Sequence, residues 1–484
     1  MICVTVTPTS RTFAKVDLLN AASQGDIIEL CLDHLAKEPD VKDLISTVSK
    51  PIIVSCRRPQ DGGKWVGSEE QRLMLLRQAI IAGPSFIELD LDIAPKIPRF
   101  GSVKRVISFT RLDRPELDVD AIFDEAANHH ADVIKFTWPT PTIDDAWPLL
   151  AAVSGKRRLP VVGMGLGRPE LTFSLLGRKY GSPWIYAALE QGMEAHEGQA
   201  TVFDLNEIYH CREIDRKTQF VAIAGFGDSQ VATTRVLNAA FKQIDMNVRC
   251  LPIQPGDIKQ LKKMLDALKV KAILVRGGLG KNILPLADHV EQSDRDSQFI
   301  DLLLNKSDGW HGFNTTWRAG LKTLEAKLGT GEKGERPLSR RNVLVLGNGG
   351  IAQSLVYAVA QRQGLVSICG PDDADAQRIA AANNCRYVPY QNLYDTLADV
   401  IVLADGRLRA GQSQGSINGS LLKSSHTVLD VSDPPLENSL FTEARERGCR
   451  LVEPTAVFRE QLKTQFKAIT AQDLPTEAFE SLET

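Results

Sequence analysis

The chain has 484 residues, with 57 Lys+Arg against 60 Asp+Glu and a formal net charge of −3. It is too long for one ordinary core and carries no long basic run, which excludes the charge footprint of a nucleic-acid binder or of a membrane-surface stripe. No apolar stretch reaches the length of a membrane span, and eight cysteines (3, 31, 56, 211, 250, 369, 385, 449) lie scattered without a CxxC, the pattern of reduced thiols rather than of disulfides or zinc. Met1 leads straight into the strand-like ICVTVTP, so no signal peptide is expected. The expectation is a cytoplasmic protein of two or three domains that acts on small molecules without a metal, assembly as a homodimer being left open.

From the N-terminus, short β-prone runs alternate with segments of helical periodicity such as EEQRLMLLRQAI and DAIFDEAANHH. The runs are ICVTV, DIIELCLD, PIIVSCR, SFIELDLD, RVISFT, ADVIKFTW, LPVVGMGL and SPWIYAAL, eight of them before Glu190. This alternation predicts a (βα)8 parallel barrel, whose chemistry gathers at the C-terminal ends of its strands. The polar residues at those ends are Glu29, Asp33, Arg57, Asp90, Asp92, Thr110, Lys135 and, past the last strand, Gln199.

Lys135 interrupts the otherwise apolar strand ADVIKFTW. Desolvation there disfavours the ammonium and favours a nucleophilic amine, which condenses with a ketone to a Schiff base and draws electrons from the adjacent carbon. The alternative is a lysine ion-paired to Glu29 or Asp90 across the barrel mouth, and placement alone leaves both open.

ELCLD, CRRPQDGG, ADVIKF, GMGL, KYGSPWIYA and the Glu197–Gln199 segment EGQ follow one another in order. Together they resemble the signatures of type I 3-dehydroquinate dehydratases. The resemblance covers residues 1–212. It implies a TIM barrel that dehydrates 3-dehydroquinate to 3-dehydroshikimate through a Schiff base on Lys135, with Glu29, Arg57 and Gln199 holding substrate. Departures fall on working positions. The histidine of an SYH-type strand end, which removes the substrate proton in that family, is here Thr110. The arginine of ELRLD is Cys31, the glutamate expected on the fourth strand is shortened to Asp90, and a serine before the GQ is Ala195. His129 and His130 end a helix at the bottom of the barrel and do not replace the lost base. The lyase keeps its electrophile and loses its base.

His210 to Gln219, HCREIDRKTQ, reads as a linker, after which FVAIAGFG restarts the βα alternation. Helix TTRVLNAAFKQI, strand NVRCLPIQ, helix DIKQLKKMLDAL and strand KAILVRGGLGK build a small α/β domain. Asn342 to Ala360, NVLVLGNGGIAQSLVYAVA, then reads as strand, phosphate loop and helix. At Gly347, Gly349 and Gly350 a missing Cβ lets the backbone turn tightly and lie against a pyrophosphate at the N-terminus of the next helix. A mere βα turn is the alternative; the apolar strand before and the helix after favour the dinucleotide site.

GGLGK, GFNTTWRAG, NVLVLGNGGIAQ and VFREQLKTQF make this half resemble shikimate dehydrogenase over nearly its whole length. The two enzymes act consecutively in the shikimate pathway to chorismate and the aromatic amino acids, and fused forms of the pair are known. The resemblance implies a substrate lobe at 219–320, completed by C-terminal helices at about 455–484, and a Rossmann NAD(P)-binding lobe at 321–454. It implies proton exchange by Lys281 with an aspartate partner, substrate contacts from Thr233, Asn314 and Gln461, and hydride passing to or from NADP. Here the aspartate position is Thr316, the SxSP serines are Val231 and Thr233, an asparagine is Asp301 and a tyrosine is Asp433. The cofactor arginine of NRT gives way to Gly370-Pro371-Asp372. An acidic Asp372 repels a 2′-phosphate and suits a free ribose, so NAD competes with NADP. Without its partner, Lys281 reads equally as a solvated lysine, and Gln461 as a surface residue of an amphipathic helix.

Three functions stay open. The first is a bifunctional lyase and oxidoreductase of weak or altered turnover. The second is a catalytically degenerate paralogue that binds ligands as a regulator or scaffold, and the third a Schiff-base lyase or aldolase of altered specificity. Substitution of both sites favours the second, and retention of Lys135, Lys281 and the glycine loop favours the first.

Overall fold

The computed structural model describes residues 1–116, 118–276, 279–329, 336–411 and 416–482. They fall into two units, one of residues 1–219 with 247–261 and one of residues 220–246 with 262–484. Among the described residues no helix is long and apolar enough to cross a membrane.

In the first unit all eight expected strands form: β1 (Ile2–Val6), β2 (Ile27–Cys31), β3 (Ile52–Ser55), β4 (Phe86–Asp90), β5 (Lys104–Thr110), β6 (Val133–Pro139), β7 (Val161–Leu166) and β8 (Ile185–Ala188). They pair in the order β7-β6-β5-β4-β3-β2-β1-β8, every pair parallel. The sheet is a nearly closed TIM barrel with its seam between β7 and β8. Strands covered on both faces must be nearly all apolar, and β1 and β2 are buried at every position.

Cys3, Ile27, Ile53, Val106, Val133, Val162 and Tyr186 form one buried apolar cluster with a residue from each of seven strands, which makes it a layer of the barrel interior. Side chains repeat their face every second residue, so the next layer up these strands holds Thr5, Glu29, Ser55, Ser108, Lys135 and Met164. On β4 the partly buried Phe86 packs on the apolar layer, and two residues on stands Glu88. Apart from Met164, the layer that should be greasy is polar.

The second unit has two sheets. In the first, strands Gln219–Ala224, Val270–Leu274, Leu302–Lys306, Gly309–Phe313 and His289–Val290 lie in that spatial order, with Leu302–Lys306 antiparallel to both neighbours. The second runs Arg386–Tyr387, Leu365–Cys369, Asn342–Leu346, Val400–Leu403, Thr427–Asp430, Arg450–Val452, entirely parallel. In sequence order that is the 3-2-1-4-5-6 winding of a dinucleotide-binding sheet, which opens a crevice where the order reverses, beyond Leu346 and Leu403. Alternation splits its strands between two cores: Val343, Val345, Val400 and Val402 face one, Leu344, Leu346, Ile401 and Leu403 the other. The C-terminal helix Pro454–Thr470 buries Phe458, Gln461, Leu462, Gln465 and Phe466, and the Phe466 ring lies 5.5 Å from that of Phe241.

Candidate functional site

Lys135 is fully buried. Its Nζ donates to Glu88 at 3.1 and 3.4 Å and lies 3.7 Å from Glu29 Oε1. Arg57, at the end of β3, donates from Nε and Nη2 to Glu88 at 2.9 and 2.8 Å and from Nη2 also to Glu29. Two cations and two carboxylates thus close a neutral, mutually bonded cluster, the arrangement that makes buried charge tolerable. Burial works against the charge of Glu88, but Arg57 and Lys135 outweigh it and hold its pKa below the usual carboxylate range. Thr5 Oγ1 donates to Glu29 at 3.3 Å and accepts from Gln199 Nε2 at 3.3 Å. Glu29, Arg57, Lys135 and Gln199, spread through the sequence, therefore meet in one network. The Lys135 ammonium also sits 4.5 Å from the centre of the Tyr186 ring, a cation–π contact.

Two expectations are corrected here. The partners of Lys135 are Glu29 and Glu88, not Asp90: Asp90 accepts at 2.8 Å from Nη1 of Arg72, a residue of helix Glu69–Ala82. Nor is the fourth-strand glutamate shortened, since Glu88 supplies it one layer below. Counting in twos from the apolar layer finds Glu88; reading only the strand end finds Asp90. Above the cluster opens a pocket lined by Thr110, Thr137, Cys31, Ala195, His196 and Gln199, among others. Thr110 thus faces the space where the absent histidine would stand. The Cys31 thiol is buried and its pKa is raised first by that burial and then by Glu29, so it stays neutral.

In the second unit Asp301 is buried and accepts hydrogen bonds from Thr315 N and Oγ1, Thr316 N and Oγ1, and Gln461 Nε2, at 2.5 to 3.2 Å. Gln461 also donates to Thr316 Oγ1 at 3.0 Å, and Gln465 to Thr315 Oγ1 at 2.9 Å. Gln461 is thereby a buried member of a network and not a surface residue. Burial raises the Asp301 pKa, with the Thr316 and Thr315 bonds opposing it. Beside this network is a small cleft lined by Gln230, Thr233, Arg276, Gln461 and Gln465. Arg276, which composition and motif did not single out, donates to Thr233 Oγ1 at 3.0 Å; burial lowers its pKa, with Asp433 and Asp301 opposing. Asn314 spends its amide on structure: Oδ1 caps helix Thr315–Leu328 at Trp317 N, 3.3 Å away, and Nδ2 donates to Ser297 at 3.2 Å.

Lys281 was expected to close a strand. The strand stops at Leu274, and Lys281 lies exposed on the short helix Leu279–Ile283. No described residue forms an ion pair with it. Gly277 and Gly278 of GGLGK lie outside the described residues.

At the switch point Gly347 has φ +136°, and a Cβ there would come within 3.0 Å of Asp405. Gly350 opens helix Gly350–Gln361 against Phe299, whose ring a Cβ would meet at 2.4 Å. Gly349, the N-cap, has nothing within 4 Å of its Cβ position. The three glycines thus serve the turn, an open cradle at a helix N-terminus, and close helix packing, which fits a pyrophosphate. Asp372 caps helix Asp373–Ala382, accepting from Asp375 N at 3.1 Å, and Arg378 is paired to Asp375 at 3.1 Å. Arg407 reaches the glycine loop, donating to Asn348 Oδ1 at 3.4 Å while paired with Asp405 at 2.6 Å.

The family model for Type I 3-dehydroquinase matches residues 2–216. The bifunctional 3-dehydroquinate dehydratase/shikimate dehydrogenase of Arabidopsis thaliana, a chloroplastic protein, is 24% identical over 503 residues, 99% of this chain and 83% of that protein. The shikimate dehydrogenase (NADP(+)) of Aquifex aeolicus is 24% identical over 264 residues, 54% of this chain and 95% of its own. A 3-dehydroquinate dehydratase of Dehalococcoides mccartyi is 28% identical over 214 residues, 42% of this chain and 94% of its own. The chain joins a type I 3-dehydroquinase domain to a shikimate-dehydrogenase-like half.

In the dehydroquinase domain the substituted positions Cys31, Thr110 and Ala195 line the pocket while the charged floor beneath stays complete. In the dehydrogenase-like half two substituted positions are bonded to each other: Thr316 Oγ1 donates to Asp301 at 2.5 Å. A carboxylate missing at one position stands at its hydrogen-bonded neighbour. Only the folded chain brings these two together.

Proposed function

We propose that the dehydroquinase domain, residues 1–212, dehydrates 3-dehydroquinate to 3-dehydroshikimate through a Schiff base on Lys135 and that the second half reduces 3-dehydroshikimate to shikimate, both with weakened turnover. The observation that carries this reading is Lys135 itself, wholly buried and bonded to Glu88 beside Glu29 and Arg57, two residues that line the pocket. A lysine kept there for solubility or for packing has no physical rationale, because burying its charge demands the three partners it has. Substrate enters above it, where Gln199 and Arg57 supply polar contacts.

In the second half the substrate lobe is residues 219–320 with the C-terminal helices, and the cofactor lobe is 321–454. A bound nicotinamide supplies the hydride. Gly347, Gly349 and Gly350 hold the pyrophosphate, and Asp372 favours NAD over NADP by repelling a 2′-phosphate and offering an acceptor to a free ribose hydroxyl. Asp301, through Thr316 and Gln461, supplies the carboxylate of the substrate lobe. The exposed Lys281 favours the weaker-turnover form of the reading for this half, since no described residue forms an ion pair with it.

Separate assays of the two steps on purified protein test the proposal. Dehydration should be detectable but slow, and Thr110→His should raise it, by up to about 10²-fold, because a positioned general base is worth that much or more. No gain would mean that the pocket has diverged beyond one residue. No dehydration and no reduction by the unaltered protein would leave a ligand-binding paralogue.

A further inference from the structure

Behind the wall of the barrel pocket lies a carboxyl group outside the Lys135 cluster. Glu170 opens helix Glu170–Tyr180 after β7 and is 2% exposed, and neither of its carboxyl oxygens makes a hydrogen bond. A buried carboxyl without partners is retained against a steep desolvation cost. Burial pushes its pKa well above the usual carboxylate range, and the nearby Lys135 charge offsets this only in part. His196 Nε2 lies 3.4 Å from Glu170 Oε2, an ion pair only when the ring is protonated.

His196 belongs to the segment past β8 and lines the same pocket as Thr110, Thr137, Arg57 and Gln199. Its Nδ1 faces the Glu197 carbonyl at 3.4 Å. Both contacts are long, and Nε2 makes no hydrogen bond. Burial is the main cause that brings the His196 pKa down to about 4, the Glu197 carbonyl opposing and Lys135 and Arg57 adding to it, so the ring is neutral at neutral pH. An imidazole free of charge, on the wall of the pocket, with a carboxyl behind it, has the parts of a proton relay.

We propose that His196, positioned by Glu170, carries the substrate proton in the barrel site and takes over the work of the histidine absent from β5. The proposal rests on the Schiff-base reading of Lys135. With a ketone held as an imine on Lys135, the C–H bond next to the imine carbon breaks. The proton passes to a nitrogen of His196, and the electron pair forms the C=C bond of an enamine. The enamine then returns its pair, the β C–O bond breaks, and the departing hydroxyl takes the proton back from His196 and leaves as water. Hydrolysis of the remaining imine frees product and Lys135, so one water is lost overall and the dyad ends with the protons it began with. Glu170, whose Oε2 lies 3.4 Å from Nε2, fixes the orientation of the ring while the proton is held on His196, which makes Glu170 a positioning residue.

The test uses full-length protein with 3-dehydroquinate, in three readouts: borohydride-trapped mass at Lys135, deuterium exchange at the carbon beside the carbonyl, and dehydration. His196→Gln should trap the adduct as the unaltered protein does, yet lose exchange and dehydration by at least about 10²-fold. Thr110→His in the His196→Gln background should restore both, which shows that proton transfer and not folding was lost. Glu170→Gln should retain the adduct and shift the pH–rate limb set by His196; the other charges acting on that ring are Lys135 and Arg57. Exchange in His196→Gln within about threefold of the unaltered protein, with the adduct intact, overturns the proton-carrier role alone. An adduct without exchange in the unaltered protein overturns it too. An unmoved pH profile in Glu170→Gln removes Glu170 from the proposal. No adduct in any variant overturns the Schiff-base reading itself, and the proposal with it.

Discussion

Lys135→Met is expected to abolish the borohydride-trapped adduct, remove dehydration altogether and destabilise the barrel. The chemical loss follows because no other primary amine belongs to the buried cluster, and imine formation needs one. The stability loss follows from charge. Glu29, Glu88, Arg57 and Lys135 balance as two anions and two cations. Removing one cation leaves an uncompensated carboxylate in the barrel interior, a change that costs about 3 to 5 kcal/mol. Glu88 bears most of it, since burial opposes its charge and Lys135 is one of the two groups that outweigh burial. Intact mass after borohydride and the midpoint of the barrel's urea transition measure the two effects separately. A trapped adduct in the methionine variant would place the nucleophile elsewhere. An unchanged midpoint would mean that the cluster rearranges to neutralise its spare carboxylate.

In the cofactor lobe, Gly349→Val and Gly350→Val are expected to part company. A Cβ at Gly349 meets nothing within 4 Å, and its φ of −82° suits any residue, so the valine should fold normally and project into the pyrophosphate cradle. Dinucleotide binding is lost while the melting temperature holds. At Gly350 a Cβ would stand 2.4 Å from the Phe299 ring, which belongs to the core shared with Leu355 and Val345. Overpacking of that kind costs about 1 to 3 kcal/mol and more where neighbours cannot move, so this variant should melt earlier. NADH and NADPH titrated side by side by fluorescence, with a thermal melt of each variant, decide the matter. The unaltered protein should prefer NADH, and Asp372→Arg should reverse the preference. Tight NADPH binding without that change would assign the 2′-phosphate to Arg378 or Arg407, either of which would have to leave its carboxylate partner, Asp375 or Asp405. Gly349→Val binding NADH like the unaltered protein would reduce the glycines to a turn.

What was legible in the sequence is what local rules write there. Alternating runs foretold eight parallel strands, because a strand buried on both faces has to be apolar. The glycines after Asn342–Leu346 foretold a tight turn into a helix, because only a residue without a Cβ adopts φ +136° at Gly347 without strain. Lys135 was visible as a charge in an apolar run. Its partners were not: Glu88 and Asp90 share one face of β4, and only the layering of the nearly closed barrel brings Glu88 to Lys135. His196 and Glu170 are far apart in the chain and carry no motif; their meeting is decided by two loops at the same barrel mouth. Asp301, Thr316 and Gln461 likewise come from a strand start, a helix start and the C-terminal helix. Lys281 went the other way, since its strand ended early and left it in solvent. Periodicity and turn chemistry act between neighbours in sequence, so the chain displays them. A buried charge is held by whichever partner the fold brings within reach, and that is settled only when the layers close.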